Sequence, residues 1–158
     1  MPMVTFDGGA HTVRGRWVAG GAAVLWATVD GERRPSVTRM WAIPRGTDSQ
    51  VAEAWGARMA LELLNEESDG LGPDMIVGDN LPVIRYCGDA GRLRRPHLHP
   101  ILDEALTTRA CMGRETRWAA VRRRFNAGVD RAATEACERA ASAAEEGRME
   151  AHCITVRH

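Results

Sequence analysis

Residues 36–66 read SVTRMWAIPRGTDSQVAEAWGARMALELLNE, and the hydrophobic period changes inside them. Before Pro44 the chain alternates, with Val37, Arg39, Trp41 and Ile43 on one face, as a strand does. After Thr47, the residues Val51, Trp55, Met59 and Leu63 recur at every fourth position, with Ala52, Gly56, Ala60 and Leu64 beside them. That spacing predicts an amphipathic helix from Asp48 to about Glu66. Thr47, Asp48, Ser49 and Gln50 offer several caps at its start, and Thr47 with Gln50 fits a capping box. A strand passed to a helix through a short polar turn is a building step of an α/β fold.

Upstream, Met3–Phe6 reads as a short strand that runs into Asp7-Gly8-Gly9-Ala10. Arg16–Val29 is a longer run of Val, Ala and Trp, closed by Asp30-Gly31, a hairpin signal. With the strand at Ser36–Ile43, these make an antiparallel meander. Downstream, residues 68–73 break the helix, and Asp74–Asp79 is an apolar run suited to a buried strand. Short helices are expected at Leu81–Tyr86 and from Leu98 to about Ala110, with a basic, glycine-containing loop at Gly88–Pro96 between them. Thr116–Arg122 reads as the last strand. Gly128–Glu146 is an alanine-rich helix that Gly147 ends. The order βββ-α-β-α-α-β-α implies a mixed sheet with helices on both faces. The residues after Gly147 include Ile154-Thr155-Val156 and leave strand and disorder open.

The 158 residues suit one domain, 1–147, with a tail at 148–158. Basic and acidic residues balance at 21 each, which argues mildly against a generally basic nucleic-acid binder. Every basic residue counted is Arg, which pairs bidentately with phosphate and stays charged when partly buried. Cys87, Cys111, Cys137 and Cys153 are too widely spaced for a zinc knuckle and read as four reduced thiols. No apolar run is long enough for a membrane helix and the N-terminus lacks a signal pattern. With four reduced thiols, a cytoplasmic protein is expected, and a monomer. His97 and His99, framed by Pro96 and Pro100, read as a helix entrance rather than a metal site. Trp17, Trp26, Trp41 and Trp118 fall on strands and read as sheet packing.

Four carboxylates stand in unusual places. Asp7 ends the first expected strand, Glu53 lies one turn into the first helix, Asp79 ends the fourth strand, and Asp130 opens the last helix. If the first and fourth strands are parallel neighbours, Asp7 and Asp79 emerge together at the edge where open α/β sheets bind ligands. Four crowded carboxylates repel unless cations sit among them, and oxygen-only ligands suit Mg²⁺ or Mn²⁺. Two such ions, ~3.5–4 Å apart, clamp both oxygens of a phosphodiester displacement.

The pattern Phe6-Asp7-Gly8-Gly9-Ala10, then Gln50-Val51-Ala52-Glu53 with Ala60-Leu61, then Gly78-Asp79-Asn80-Leu81, then Arg123, Asn126, Asp130, Ala132 and Ala133 resembles type 1 ribonuclease H. The resemblance spans about residues 3–147. It implies a ribonuclease H-like α/β fold with a five-stranded mixed sheet, strands 1–3 antiparallel and strands 4 and 5 parallel to the first. It further implies that Asp7, Glu53, Asp79 and Asp130 bind two Mg²⁺ ions, with Mn²⁺ as a substitute. The implied reaction cuts the RNA strand of RNA/DNA hybrids, leaving 5′-phosphate and 3′-hydroxyl ends. By motif position, Gly8, Gly9, Gln50 and Asn80 are candidates for reading the hybrid's minor groove, where 2′-hydroxyls distinguish RNA. Arg123 and Asn126 are further substrate candidates.

The chain departs from the family's fuller form in two ways. The loop before the last helix, residues 122–129, has no His, which matches a branch with Arg three residues before Asn. The long basic handle helix is absent, and Arg92, Arg94 and Arg95 are expected to do a reduced version of its work. Other readings of the same residues are the ribonuclease H domain of a reverse transcriptase or mobile element, another nuclease or integrase of this fold, and a non-catalytic hybrid-binding module.

Overall fold

The computed structural model describes residues 2–67, 73–89 and 96–158. Its strands are β1 (Met3–Val13), β2 (Arg16–Val29), β3 (Glu32–Ile43), β4 (Asp74–Gly78), β5 (Thr116–Ala120) and β6 (His152–Arg157). The helices are α1 (Ser49–Glu67), α2 (Leu81–Asp89), α3 (His99–Cys111) and α4 (Ala127–Glu145), with 3₁₀ turns at Pro96–Leu98 and Arg123–Phe125. One sheet runs β5-β4-β1-β2-β3-β6. β4 pairs parallel to β1, and β5 pairs parallel to β4. The meander β1-β2-β3 is antiparallel. Helices cover both faces, as the element order implied.

Two features of the meander differ from the sequence reading. β1 does not stop before Asp7 but runs on to Val13, paired with β2 from Met3↔Trp26 to Val13↔Arg16. The two-residue turn Arg14-Gly15, both with positive φ (48° and 76°), closes this hairpin, just as Asp30-Gly31 closes the next. The glycines at 8 and 9 therefore lie inside a strand. β3 begins at Glu32 rather than Ser36, and the β2–β3 register shifts between Leu25 and Trp26, opposite Pro35, which cannot donate to the ladder.

The expected five strands gain a sixth. β6 pairs antiparallel with β3 from Val37↔Arg157 to Ala42↔His152, so residues 152–157 belong to the sheet and position 147 is no boundary within it. Ile154 and Val156 pack toward α4. On the opposite face Arg157 bonds Glu67 at 2.6 Å, and Arg39 reaches Thr155 at 3.2 Å and Glu66 at 2.7 Å.

Each sheet face has its own core. β1 side chains alternate, and Val4 and Phe6 join Leu61, Leu64, Ile76 and Leu102 under α1. On the other face Ala22, Val24 and Met40 meet Val129, Ala132, Ala133 and Ala136 of α4. The small alanines let α4 lie close to the sheet. The α1 face is closer still at one point. A Cβ on Gly8 would overlap the backbone of Ala52 and Glu53, and one on Gly56 would overlap the carbonyl oxygen of Asp7. Of the caps the sequence offers, Asp48 is the one used: its Oδ1 accepts the Val51 N–H at 3.0 Å, rather than the Thr47–Gln50 box. The helix starts at Ser49, which puts Asp48 in the capping position.

Candidate active site

β1 and β4 pair only as far as Thr5↔Val77, yet β1 continues to Val13. A gap therefore opens beside β1 just past the C-terminal end of β4. Three elements feed it. Asp7 faces the α4 side of β1, because Phe6 takes the α1 side. Glu53 comes from α1, drawn in by the close approach at Gly8. Asp79 follows β4 directly. Oxygens of Asp7, Glu53 and Asp79 lie within 4.8 Å of one another. Asp130, in the first turn of α4, shares a hydrogen bond with Asp7 and adds a fourth acid. All four line one cleft of about 640 Å³. Side chains from both layers can meet here only because β1 outruns its parallel neighbour.

The electrostatics are those of an acid cluster with too little countercharge. Asp7 is only 5% exposed. Burial, then the nearby Asp79, then the hydrogen bond to and charge of Asp130, hold its carboxyl up at about 7, partly opposed by the Gly8 N–H. A rise of that size represents on the order of 4 kcal/mol of unfavourable charge at neutral pH. That is a large part of the roughly 5–15 kcal/mol by which a domain is stable, so the fold carries this cost until a cation offsets it. Burial also raises Glu53, with Asp79 adding to it, while the amide of Asn80 and the charge of Arg123 pull it down.

The donor set fits hard divalent cations. It offers carboxylate oxygens alone, clustered, with one of them buried. Asp7, Glu53 and Asp79, with Asp130 beside them, are the residues that would hold a divalent cation.

The other expected site residues fare differently. Asn80 caps α2 by accepting the Val83 N–H at 3.0 Å, and its Nδ2 donates to Glu53 Oε2. It therefore orients a carboxylate as well as facing the cleft. Gly8 and Gly9 line the cleft, but Gly8 also has the packing role described above. Arg123 lines it, and its neighbour Arg122 does too. Gln50 is exposed on the first turn of α1, one turn before Glu53, and does not line the cleft. Asn126, expected at the substrate, is instead 2% exposed. Its Nδ2 donates to the Phe6 carbonyl at 3.0 Å, tying the start of α4 to the strand beside Asp7. Its buried amide so clamps α4 to β1 and does not line the cleft. Arg92, Arg94 and Arg95 lie outside the described residues.

The sequence reading missed His11, Ser49 and Thr134, all of which line the cleft. The signal for His11 was its even spacing from Asp7, with Gly9 between. It becomes visible only once β1 is known to continue. The cysteines form no disulfide, and among the described residues no helix is long and apolar enough to cross a membrane.

No family model matches this chain, and no curated protein sequence matches it. Solved structures do. The N-terminal RNase H domain of Rv2228c from Mycobacterium tuberculosis, solved as a fusion with maltose binding protein, is similar at a TM-score of 0.69 and 22% identity, over 91% of this chain and 99% of that one. LC11-RNase H1, isolated from compost by a metagenomic approach, is similar at 0.64 and 24% identity in its complex with an RNA/DNA hybrid, over 89% and 99%. RNase H1 from the halophilic archaeon Halobacterium salinarum is similar at 0.64 and 22% identity, over 85% and 96%.

Proposed function

We propose that this chain, which has the ribonuclease H fold, is a divalent-metal-dependent endonuclease that cuts the RNA strand of RNA/DNA hybrids. Fold alone does not assign an activity, so the site must carry the reading. The observation that carries it is the convergence of Asp7, Glu53 and Asp79 within 4.8 Å, joined by Asp130, at a sheet edge open to a large substrate. LC11-RNase H1, a structural neighbour, was solved with such a hybrid.

In this reading the four carboxylates hold two Mg²⁺ ions, with Mn²⁺ able to substitute. Bound ions supply charge neutralisation at the phosphodiester and acidify the attacking water. The protein's own groups do the rest. Asn80 holds Glu53 in place through its amide. Asn126 fixes Phe6, and through it the position of Asp7. Arg122 and Arg123 face the phosphate backbone from the turn after β5. The products carry 5′-phosphate and 3′-hydroxyl ends, and the protein acts as a cytoplasmic monomer.

The test is incubation of a labelled RNA/DNA hybrid with the protein and Mg²⁺, beside single-stranded RNA, duplex RNA and duplex DNA. Cutting confined to the RNA of the hybrid, and lost on chelation, is the expected result. Hybrid left intact, yet bound, would identify a non-catalytic binding module instead.

A further inference from the structure

We propose that His11 is a further substrate-contacting residue, with its Nε2 meeting a phosphate oxygen of the strand that is cut. The inference rests on the nuclease reading above and adds a residue that reading does not use.

The argument starts from the strand. Alternation along β1 puts Asp7, residue 9 and His11 on the same face. Residue 9 is glycine, and the His11 ring fills the space that this leaves. A Cβ built on Gly9 would lie 2.8 Å from His11 Nε2, and 3.5 and 3.6 Å from its Cδ2 and Cε1. The ring is therefore folded back along the strand toward Asp7, with Nε2 leading. Two residues of strand span roughly 6.6 Å, so the ring lies beside the carboxylate cluster rather than within it. His11 lines the same cleft as Asp7, Asp130 and Thr134, and as Arg122 and Arg123 from the turn after β5.

The chemistry follows from that placement. A cleft walled by four acids repels a phosphodiester everywhere except at its cations and N–H donors. An imidazole carrying its proton on Nε2 is such a donor, whether or not the ring is charged. Gly9 thus has a reason to lack a side chain that is separate from any contact between its backbone and the hybrid.

That separation makes the proposal testable. Gly9→Ala adds a methyl whose three nearest neighbours are all atoms of the His11 ring, the movable end of a flexible side chain. It should displace the ring without disturbing the strand. We expect His11→Ala and Gly9→Ala each to slow single-turnover cleavage of a hybrid about tenfold, the size of one hydrogen bond to a charged group. The double variant should be no slower than His11→Ala alone. His11→Gln, which keeps an N–H donor, should recover part of the loss. Hybrid affinity measured in the Asp7→Asn background should follow the same pattern without any cutting, while thermal midpoints stay unchanged. Wild-type-like cleavage and affinity in His11→Ala would overturn the proposal. So would a further loss when Gly9→Ala is added to His11→Ala, which would place the Gly9 backbone itself on the substrate. Failure of the wild-type protein to cut hybrid would overturn both readings together, whereas normal cutting by His11→Ala removes this one alone.

Discussion

β4 has a carboxylate at each end, and the two live in opposite surroundings. Asp74 opens the strand, 1% exposed, and bonds the guanidinium of Arg109, itself 3% exposed. Arg109 also donates to Thr116 at 2.7 Å and to Asn65 at 3.3 Å. One cation so ties α3 to the ends of α1, β4 and β5. Asp79, just past the other end, faces Asp7 and Glu53, with Arg123 the cation felt at Glu53. A buried acid with a buried base and further hydrogen bonds is closed to outside ligands. A group of acids that face one another lacks the charge that would close it. The same residue type thus serves cohesion at one end of a strand and a site at the other.

Breaking the closed end should have the largest effect. Arg109→Ala removes the guanidinium that Asp74 bonds, and breaking a buried pair from one side costs about 3–5 kcal/mol. Each kcal/mol lowers the thermal midpoint of a domain of this size by about 2–4 °C. Urea unfolding measures it, and a loss below 1 kcal/mol would mean that the pair does not hold this end together.

At the open end, the matching change should act on chemistry instead. Asp7→Asn should lower hybrid cleavage at least about a hundredfold, comparable to removal of one group that stabilises transition-state charge. Unlike Arg109→Ala, it should leave the metal-free protein at pH 7–8 as stable as wild type or more so. A destabilised Asp7→Asn protein would remove the contrast between the two ends.

The pH dependence sharpens the same point. Asp7 titrates near 7 in the folded chain against 3.8 when unperturbed, so between those values the folded state holds a proton that the unfolded state releases. Metal-free stability attributable to Asp7 should be greatest below about pH 4, fall as pH rises toward 7, and level off above it. Glu53, also raised, adds to the fall. The difference in midpoint between wild type and Asp7→Asn, scanned from pH 4 to 8 in chelator, should grow in favour of the variant. Mg²⁺ should raise the wild-type midpoint more at pH 8 than at pH 5, because it binds the ionised acids. A constant difference across the scan would contradict the raised titration of Asp7.

The smallest expected effect is at Asn80, which serves both structure and site. Asn80→Ala removes the α2 cap, worth about 1 kcal/mol, and frees Glu53. Asn80→Asp keeps a capping oxygen but adds a charge beside Glu53. It should restore the midpoint at neutral pH less than it restores α2 capping. Activity titrated with Mg²⁺ should need more metal in Asn80→Ala than in wild type. Unchanged metal demand would leave Asn80 as a cap alone.

Much of this was legible along the chain. The strand-to-helix change at Pro44, the Asp30-Gly31 turn and the alanine stripe of α4 are local signals, and each marked its element. Asp7, Glu53, Asp79 and Asp130 stood out because each sits at or near an element's end. The end of β1 is not legible locally, because two glycines after an Asp ordinarily signal a turn, whereas here the β2 ladder carries the strand through them. Nor is β6, whose few apolar residues gain meaning only against β3 and α4.

Period, caps and order of the elements are set locally, since those signals act between residues a few positions apart. Which side chains meet is settled by the packed fold. Gly8 and Gly56 are needed because α1 lies against β1, and the His11 ring has its place because residue 9 has no side chain. Asn126 turned inward because Phe6 presents a carbonyl there. Such pairings join segments far apart in sequence, and the parity of a strand sets which face each residue takes. Neither a distance between distant segments nor that parity is written in any local window, so the cleft exists only once the strands have paired and β1 has outrun β4.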